Sequence, residues 1–232
     1  MALARLRVTL PLLLSLNAGF VDTAGFLALQ GLFTAHVTGN FVTLGASLVL
    51  GTSGAIAKLL ALPVFCVVVI AIRLLSSALL RRALPALKVL LSLKVILLIA
   101  GAVLAIRLGP FANGDAWQAV VTGMVLVAAM AIQNAAHRIH LGSAPPSTLM
   151  TGTTTQIMID LADMVQAPKP DTAERPSARL LAMSTNIAVF AFGCAAAAVL
   201  YAHIGVWCFV VPPVLGFASL FLRIAVIGDA KH

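Results

Sequence analysis

The sequence predicts an all-α membrane protein with six transmembrane helices, two short re-entrant half-helices and an inverted 3+3 repeat. The first observation is composition, because 61% of the residues are hydrophobic and 9% are charged. A soluble domain of this length could not cover its surface with so few charges. The second is the length of apolar runs such as 59–80 and 89–106, which meet the roughly 20 residues needed to cross a bilayer. The third is a Thr-Gly pair that recurs about half a chain later.

Hydropathy divides the chain into eight apolar segments, at about 8–29, 39–51, 57–80, 89–107, 117–138, 151–165, 179–201 and 206–227. A shift of 113 positions, from Thr38 to Thr151, brings the first four segments onto the last four. We therefore interpret 1–232 as a single integral membrane domain built from two repeats, 1–113 and 114–232. The first segment resembles a secretory signal, but the first repeat needs it as a retained span.

Segments two and six are too short to cross. The thirteen residues 39–51 span about 20 Å as a helix, against a hydrocarbon core of about 30 Å. Re-entrant segments leave only Lys58 and Arg107 outside. The remaining bases then gather on the cytoplasmic side: Arg5, Arg7, Arg81, Arg82, Lys88, Arg138, Lys169, Arg175, Arg179, Arg223 and Lys231. This distribution predicts a bacterial inner-membrane protein with both termini cytoplasmic, and it explains the net charge of +8 without nucleic acid.

The start of each half-helix is the predicted substrate site. Seven residues surround the two Thr-Gly pairs: His36, Thr38, Gly39, Asn40, Thr151, Gly152 and Thr153. A helix that starts inside the membrane has unpaired N–H groups, which Thr38 or Thr151 could cap and which attract anions or polar solutes. We expect the two N-terminal ends to meet at the repeat interface. The competing interpretation is that the small residues only allow close helix packing.

Polar residues within the apolar segments are further candidates for the site. Asp22 interrupts the first span, and it either lines the site, caps a local helix break after Val21 or pairs with a base. Gln133 and Asn134 occupy the counterpart stretch and are expected to line the same cavity. His36 either relays protons or bonds to backbone. Lys94 is expected to lie near the inner end of its span and to extend towards the interface.

No enzyme, cofactor or metal signature is present. The chain lacks the HExxH, GxSxG and GxxxxGK[ST] patterns, and its three cysteines lack metal-ligand spacing. Asp160 and Asp163 lie late in the second half-helix, where they are either solvated or part of a cation site. We therefore expect neither an enzyme nor a bound metal.

Two linked motifs resemble the YoaK family of bacterial membrane proteins, a domain of unknown function. The first joins Ala18-Gly19-Phe20-Val21-Asp22 and Gly25-Phe26-Leu27-Ala28-Leu29 to Thr38-Gly39-Asn40, and the second joins Gln133-Asn134-Ala135-Ala136 to Thr151-Gly152-Thr153. Val37 stands where family members often carry Met. The resemblance implies a cytoplasmic-membrane protein with about six spans. It also implies that Asp22, Asn40, Gln133, Asn134 and both Thr-Gly pairs belong to the family pattern.

The function expected from these features is transport or channelling of a small polar or anionic solute across the lipid bilayer, by a monomer or a homodimer. One alternative is a cation- or proton-coupled carrier that uses Asp22 and Asp160. Another is a non-transporting scaffold or assembly factor that binds partners through the basic segment 169–179. Aquaporin-like conduction also joins six spans to two half-helices, but there the half-helices follow a different span.

Overall fold

A computed structural model describes residues 9–166 and 176–222, which are helical with no strand in these two ranges. The helices are α1 Leu10–Ala28, α2 Gly39–Leu50, α3 Ala55–Arg81, α4 Ala86–Leu108, α5 Trp117–His140, α6 Met150–Gln166, α7 Pro176–Ile204 and α8 Val211–Ser219, with a 3-10 helix at Gly205–Val210. The all-α prediction is confirmed. Several bases used to orient the chain lie outside the described residues: Arg5, Arg7, Lys169, Arg175, Arg223 and Lys231.

Five helical stretches are long and apolar enough to cross a membrane, which indicates an integral membrane protein. They are Leu10–Ala28, Ala55–Arg81, Ala86–Leu108, Trp117–His140 and the continuous stretch Ala178–Ser219. The last combines most of α7 with the 3-10 helix and α8. Gly39–Leu50 is apolar but shorter, as the sequence predicts.

One end of the helical bundle is closed by Asp115, in the connection between α4 and α5. Its carboxylate accepts hydrogen bonds from the backbone N–H groups of Gly54 (2.9 Å) and Ile56 (2.8 Å), and so caps the start of α3. Nearby, Gln30 donates through Nε2 to the carbonyl of Phe111 at 2.9 Å. The ends of α1 and α4 and the starts of α3 and α5 therefore meet here, at what we name the Asp115 end.

The opposite end gathers the starts of α1 and α4 with the ends of α3, α5 and α8, and Ser76 Oγ of α3 lies 3.0 Å from Nε2 of His140 of α5 there. We name it the Arg81 end after the last residue of α3. Its core contains Leu10, Leu91 and Leu141, against which Leu220 packs. The connection after α7 reaches the Asp115 end, because a Cβ atom on Gly109 would lie 3.0 Å from Cγ1 of Val206. Residues 205–222 thus run back from the Asp115 end to the Arg81 end.

The closest helix crossing joins α1 and α7 through glycines. A Cβ atom on Gly19 would overlap the carbonyl oxygen of Phe190, and one on Gly193 would overlap the carbonyl oxygen of Leu16. Small residues allow this approach in membranes, where dispersion contacts rather than hydrophobic burial hold helices together. The glycines at this crossing are not those of the Thr-Gly pairs, since a Cβ on Gly39 would meet Phe33 of its own loop and one on Gly152 would meet nothing within 4 Å.

Replacement of Gly193 by alanine should therefore destabilise the fold. The added methyl group has no space at the crossing, and overpacking typically costs about 1–3 kcal/mol. We expect a loss in that range for Gly193→Ala when helical content is followed during unfolding in detergent. Gly45→Ala is the matched control, because a Cβ on Gly45 would meet nothing within 4 Å. Equal stability of the two variants would contradict the proposed crossing.

Candidate functional site

The first loop, residues 29–38, turns back into the bundle because of the way α1 ends. Gln30 (φ 55°) and Gly31 (φ 84°) adopt left-handed conformations, and the Gly31 N–H donates to the carbonyl of Phe26 at 2.9 Å. This 6→1 hydrogen bond after a left-handed residue is the Schellman motif, which commonly ends a helix and changes the direction of the chain. The loop then returns alongside α1 before α2 begins.

Asp22 holds this first loop in place. Its Oδ1 accepts hydrogen bonds from the backbone N–H groups of Thr34 (2.8 Å), Ala35 (2.7 Å) and His36 (3.4 Å). Its Oδ2 lies 2.7 Å from Nδ1 of His36. Because Asp22 is only 4% exposed, these groups replace water as the partners of the carboxylate. α1 continues unbroken past Asp22, so the predicted helix break after Val21 is wrong.

His36 pairs with Asp22 rather than with backbone through its ring. The hydrogen bond and charge of Asp22 raise the pKa of His36 above its ordinary value of 6.5, against the opposing effect of burial. The imidazole and the Phe190 ring of α7 also pack in a T-shaped arrangement, with centroids 5.5 Å apart. The loop therefore links α1 to α7.

Asn40 fixes the start of α2 to the same loop. Its Oδ1 accepts from the Phe33 N–H at 2.9 Å, and its Nδ2 donates to the Phe33 carbonyl at 2.8 Å. The amide thus satisfies both backbone groups of one half-buried loop residue. Asn40 is 1% exposed, so the structure gives this side chain an anchoring role.

The second loop, residues 141–149, is held by neutral side chains of α5. Gln133 donates through Nε2 to Ser147 Oγ at 3.0 Å, and Asn134 accepts from Thr148 Oγ1 at 2.5 Å. From α7, Asn186 donates to the carbonyl of Pro146 at 2.8 Å. This loop therefore turns back along α5 from the Arg81 end, as the first loop turns back along α1 from the Asp115 end.

The two loops share one spacing. The pairs Asp22–His36, Gln133–Ser147 and Asn134–Thr148 are each separated by 14 positions. In each case a polar side chain of a long helix binds the segment that precedes a shorter helix. Asp22 on α1 and Gln133 and Asn134 on α5 thus each bind the loop that follows their own helix.

The Thr-Gly pairs occupy less similar surroundings. Thr38 is exposed and makes no side-chain cap, so its predicted capping role is wrong. α6 begins at Met150, before Thr151, so Thr151 does not occupy the capping position either. Thr153 is buried and donates to the carbonyl of Leu149 at 2.8 Å. Within the described ranges α2 packs on α3 and α6 on α7, and the two short helices do not touch. Their N-terminal ends therefore do not meet directly.

A cavity of about 810 Å³ lies beside the second loop. It is lined by Ser143, Ala144, Pro145, Pro146, Leu149, Gly152, Thr153, Gln156, Ala178, Arg179, Ala182 and Met183. Asp160 accepts from Gln156 Nε2 at 2.7 Å and lies 3.5 Å from Nε of Arg179, whereas Asp163 is exposed. The second Thr-Gly pair thus contributes Gly152 to the wall, while the first pair lies elsewhere.

Sequence reasoning missed the most deeply buried ionisable side chain in the described ranges. Lys94 is 0% exposed, and its Nζ donates to Oε1 of Gln133 at 2.6 Å, so the expectation that it reaches the interface is wrong. The small residues Gly101 and Ala105 mark the packed face of α4, and Lys94 shares that face at helical spacing. This periodicity is the signal that could have identified it. Among the described residues, no group of three potential metal ligands occurs.

The His36–Asp22 pair predicts a pH-dependent stability. Because the folded-state pKa of His36 is raised, its contribution is full below about 6.5 and is lost as pH rises through the folded-state pKa. The difference in melting temperature between the unmodified protein and His36→Gln should therefore be larger at pH 6 than at pH 9. In the Asp22→Asn background, the difference that His36→Gln makes should no longer be larger at pH 6 than at pH 9, because only the opposing effect of burial remains. A constant difference in the unmodified background would contradict the pairing.

Comparison with known proteins places the chain in one family. The family model described as protein of unknown function (DUF1275) matches residues 10–222, which include both loops and all their anchors. No curated protein and no solved structure matches the chain. The chain therefore belongs to the family described as protein of unknown function (DUF1275).

Proposed function

We propose that the protein is a small inverted-repeat transporter or channel of the bacterial cytoplasmic membrane, and that it moves a small polar or anionic solute. The proposal includes six membrane crossings, two re-entrant half-helices and membership of the YoaK group within the family. It rests chiefly on one observation: two loops turn back into the bundle from opposite ends, each fixed by buried polar side chains 14 positions earlier.

Six crossings are supported by the alternation of the chain between the two ends. α1, α4 and α7 run from the Arg81 end to the Asp115 end. α3, α5 and the segment 205–222 run back. On this reading α2 and α6 each return to the end from which their loop entered. The sixth crossing is then the 3-10 helix and α8 together, rather than one long helix.

Inverted repetition is supported by the pattern of helix packing. If α1–α4 correspond to α5–α8, each contact has its counterpart: α1 with α7 and α5 with α3, α2 with α3 and α6 with α7, α4 with α5 and α8 with α1. Three crossings per half place the second half upside down relative to the first. This arrangement is common in secondary transporters, whose sites lie between the repeats.

A cytoplasmic location of the Arg81 end is supported by charge. Its exposed bases in the described ranges are Arg81, Arg82, Lys88, Arg138 and Arg179, whereas the Asp115 end carries Lys58 and Arg107. Cytoplasmic loops are enriched in Lys and Arg, so the cavity beside the second loop would open towards the cytoplasm.

A polar or anionic solute is supported by the surroundings of the second loop. Non-helical backbone at membrane depth is tolerated where it is covered by protein or lines a water-filled cavity. The 810 Å³ cavity next to this loop carries Gln156 and the guanidinium of Arg179 on its wall. Because Arg179 is paired with Asp160, the wall offers hydrogen-bond donors to a polar or anionic solute without a large net charge.

Proton coupling is a second candidate, favoured by the contact between the half-exposed imidazole of His36 and the buried carboxylate of Asp22. A cation site at Asp22 has less support, because both carboxylate oxygens already bind the first loop.

Transport is tested by Gly152→Leu. A Cβ at this position would meet nothing within 4 Å, so the fold should tolerate the larger side chain while the cavity wall gains bulk. The unmodified protein is first tested in proteoliposomes with formate, acetate, urea and glycerol, and flux is measured by light scattering after an osmotic shift. For each probe that the unmodified protein transports, we expect flux through Gly152→Leu to be at least tenfold lower. Such a loss corresponds to about 1.4 kcal/mol on the barrier.

The control for this experiment is Gly45→Leu on α2, where the added side chain also has open space. Its flux should equal that of the unmodified protein. Unchanged flux in Gly152→Leu would contradict the assigned pathway. Absence of flux for every probe, with partners that co-purify, would instead support the scaffold alternative.

A further inference from the structure

We propose that Lys94, Asn17 and the surrounding turn of α8 form an internal binding site for one small monovalent anion, such as chloride or formate. This site lies outside the Thr-Gly residues singled out in the sequence. It does not depend on transport, since a protein can bind an internal anion without moving it.

Lys94 is a buried amine with no counter-charge among the described residues. A buried ammonium has three N–H donors, and a structure normally provides acceptors or a counter-charge for them. Nζ of Lys94 has one hydrogen-bond partner, Oε1 of Gln133. In the described ranges the ion pairs are His36–Asp22 and Arg179–Asp160, so no carboxylate there neutralises Lys94.

Gln133 cannot supply a negative charge to Lys94. Its Nε2 donates to the carbonyl of Leu14 at 2.9 Å and to Ser147 Oγ at 3.0 Å, which leaves Oε1 directed at Lys94. The amide is neutral and its orientation is fixed by these donors. Gln133 therefore holds Lys94 in position while two ammonium N–H groups stay available.

Helix α1, whose Leu14 carbonyl binds Gln133, also carries an amide that has no partner among the described residues. Asn17 is 1% exposed, and neither Oδ1 nor Nδ2 has a hydrogen-bond partner. It lies one turn after Leu14 on α1. Its Nδ2 would be 3.7 Å from a Cβ on Gly216 of α8, a position that Val95 and Leu98 of α4 also approach. Buried amides without partners are rare and point to an unseen water or ion.

The N–H donors of Lys94 and Asn17 determine which kind of ligand this site would bind. A cation is disfavoured beside an ammonium, whereas an anion would accept from Lys94 and from Nδ2 of Asn17 and would neutralise the buried charge. The surrounding side chains are almost fully buried, which favours an ion of few atoms. The cavity lies close to this site in the fold, because Pro146 lines the cavity and its neighbour Ser147 bonds to Gln133.

The test is anion-dependent stability of the purified full-length protein in detergent. Chloride or formate is titrated against gluconate at constant ionic strength while the melting temperature is recorded. A ligand of the folded state raises that temperature saturably. We expect such a rise in the unmodified protein and its loss in Lys94→Met. Lys58→Met is the matched control and should keep the rise, because Lys58 is also buried but bonds to Ser47 at the Asp115 end.

Asn17→Ala gives an independent measurement if Lys94→Met fails to fold. Removal of Asn17 breaks no recorded hydrogen bond, so the anion-free protein should be at least as stable as before. The apparent dissociation constant for the anion should rise about tenfold, as expected for loss of a hydrogen bond to a charged group. An unchanged constant in Asn17→Ala, or no saturable rise in the unmodified protein, would overturn the proposal.

The outcomes also separate this site from the proposed transport. A Lys94-dependent rise without flux in proteoliposomes would support the anion site and contradict transport. Flux that is sensitive to Gly152→Leu, together with no Lys94-dependent rise, would support transport and overturn the anion site.

Discussion

The requirement that every buried backbone polar group find a partner is the constraint on which the rest of the structure depends. Helices satisfy their own N–H and C=O groups, but the two loops that turn back into the bundle cannot. Asp22 supplies acceptors for three consecutive N–H groups, and Asn40 pairs with both backbone groups of Phe33. Gln133 and Asn134 fix the second loop through Ser147 and Thr148. Without these side chains neither loop could remain inside an apolar bundle.

This constraint also explains which helices are central. The anchoring side chains must be kept away from lipid, so the helices that carry them must be surrounded by protein. In the membrane-crossing stretches of α1 and α5, 67% of the residues are buried, against 22% in α3. The glycine crossing between α1 and α7 serves the same end, because it brings Phe190 and Asn186 of α7 against the two loops. Polar anchors, burial and close packing are thus consequences of one arrangement.

The sequence was sufficient to predict where the helices lie, because apolar runs and their breaks report on segment length directly. It also predicted which polar residues matter on α1 and α5. It could not predict their roles, because a polar side chain in an apolar run is equally able to bind a solute or a backbone group. Asp22 and Asn40 proved to bind backbone. Lys94 was misjudged because distance from a helix end does not reveal which face neighbouring helices cover.

The two halves solve the same problem with different chemistry, and the difference bears on function. The first loop is held by a carboxylate and an imidazole, so its interior charge is balanced whenever His36 is protonated. The second loop is held by neutral amides, and the lysine that bonds to one of them has no described carboxylate beside it. The buried N–H donors without a full set of acceptors therefore lie next to the second loop, and this is also the side on which the cavity with Arg179 lies. In the proposed duplicated fold, the unequal anchors would give transport a direction, since an anion entering from the Arg81 end would meet N–H donors of Arg179 at the cavity wall and then those of Lys94 in the core.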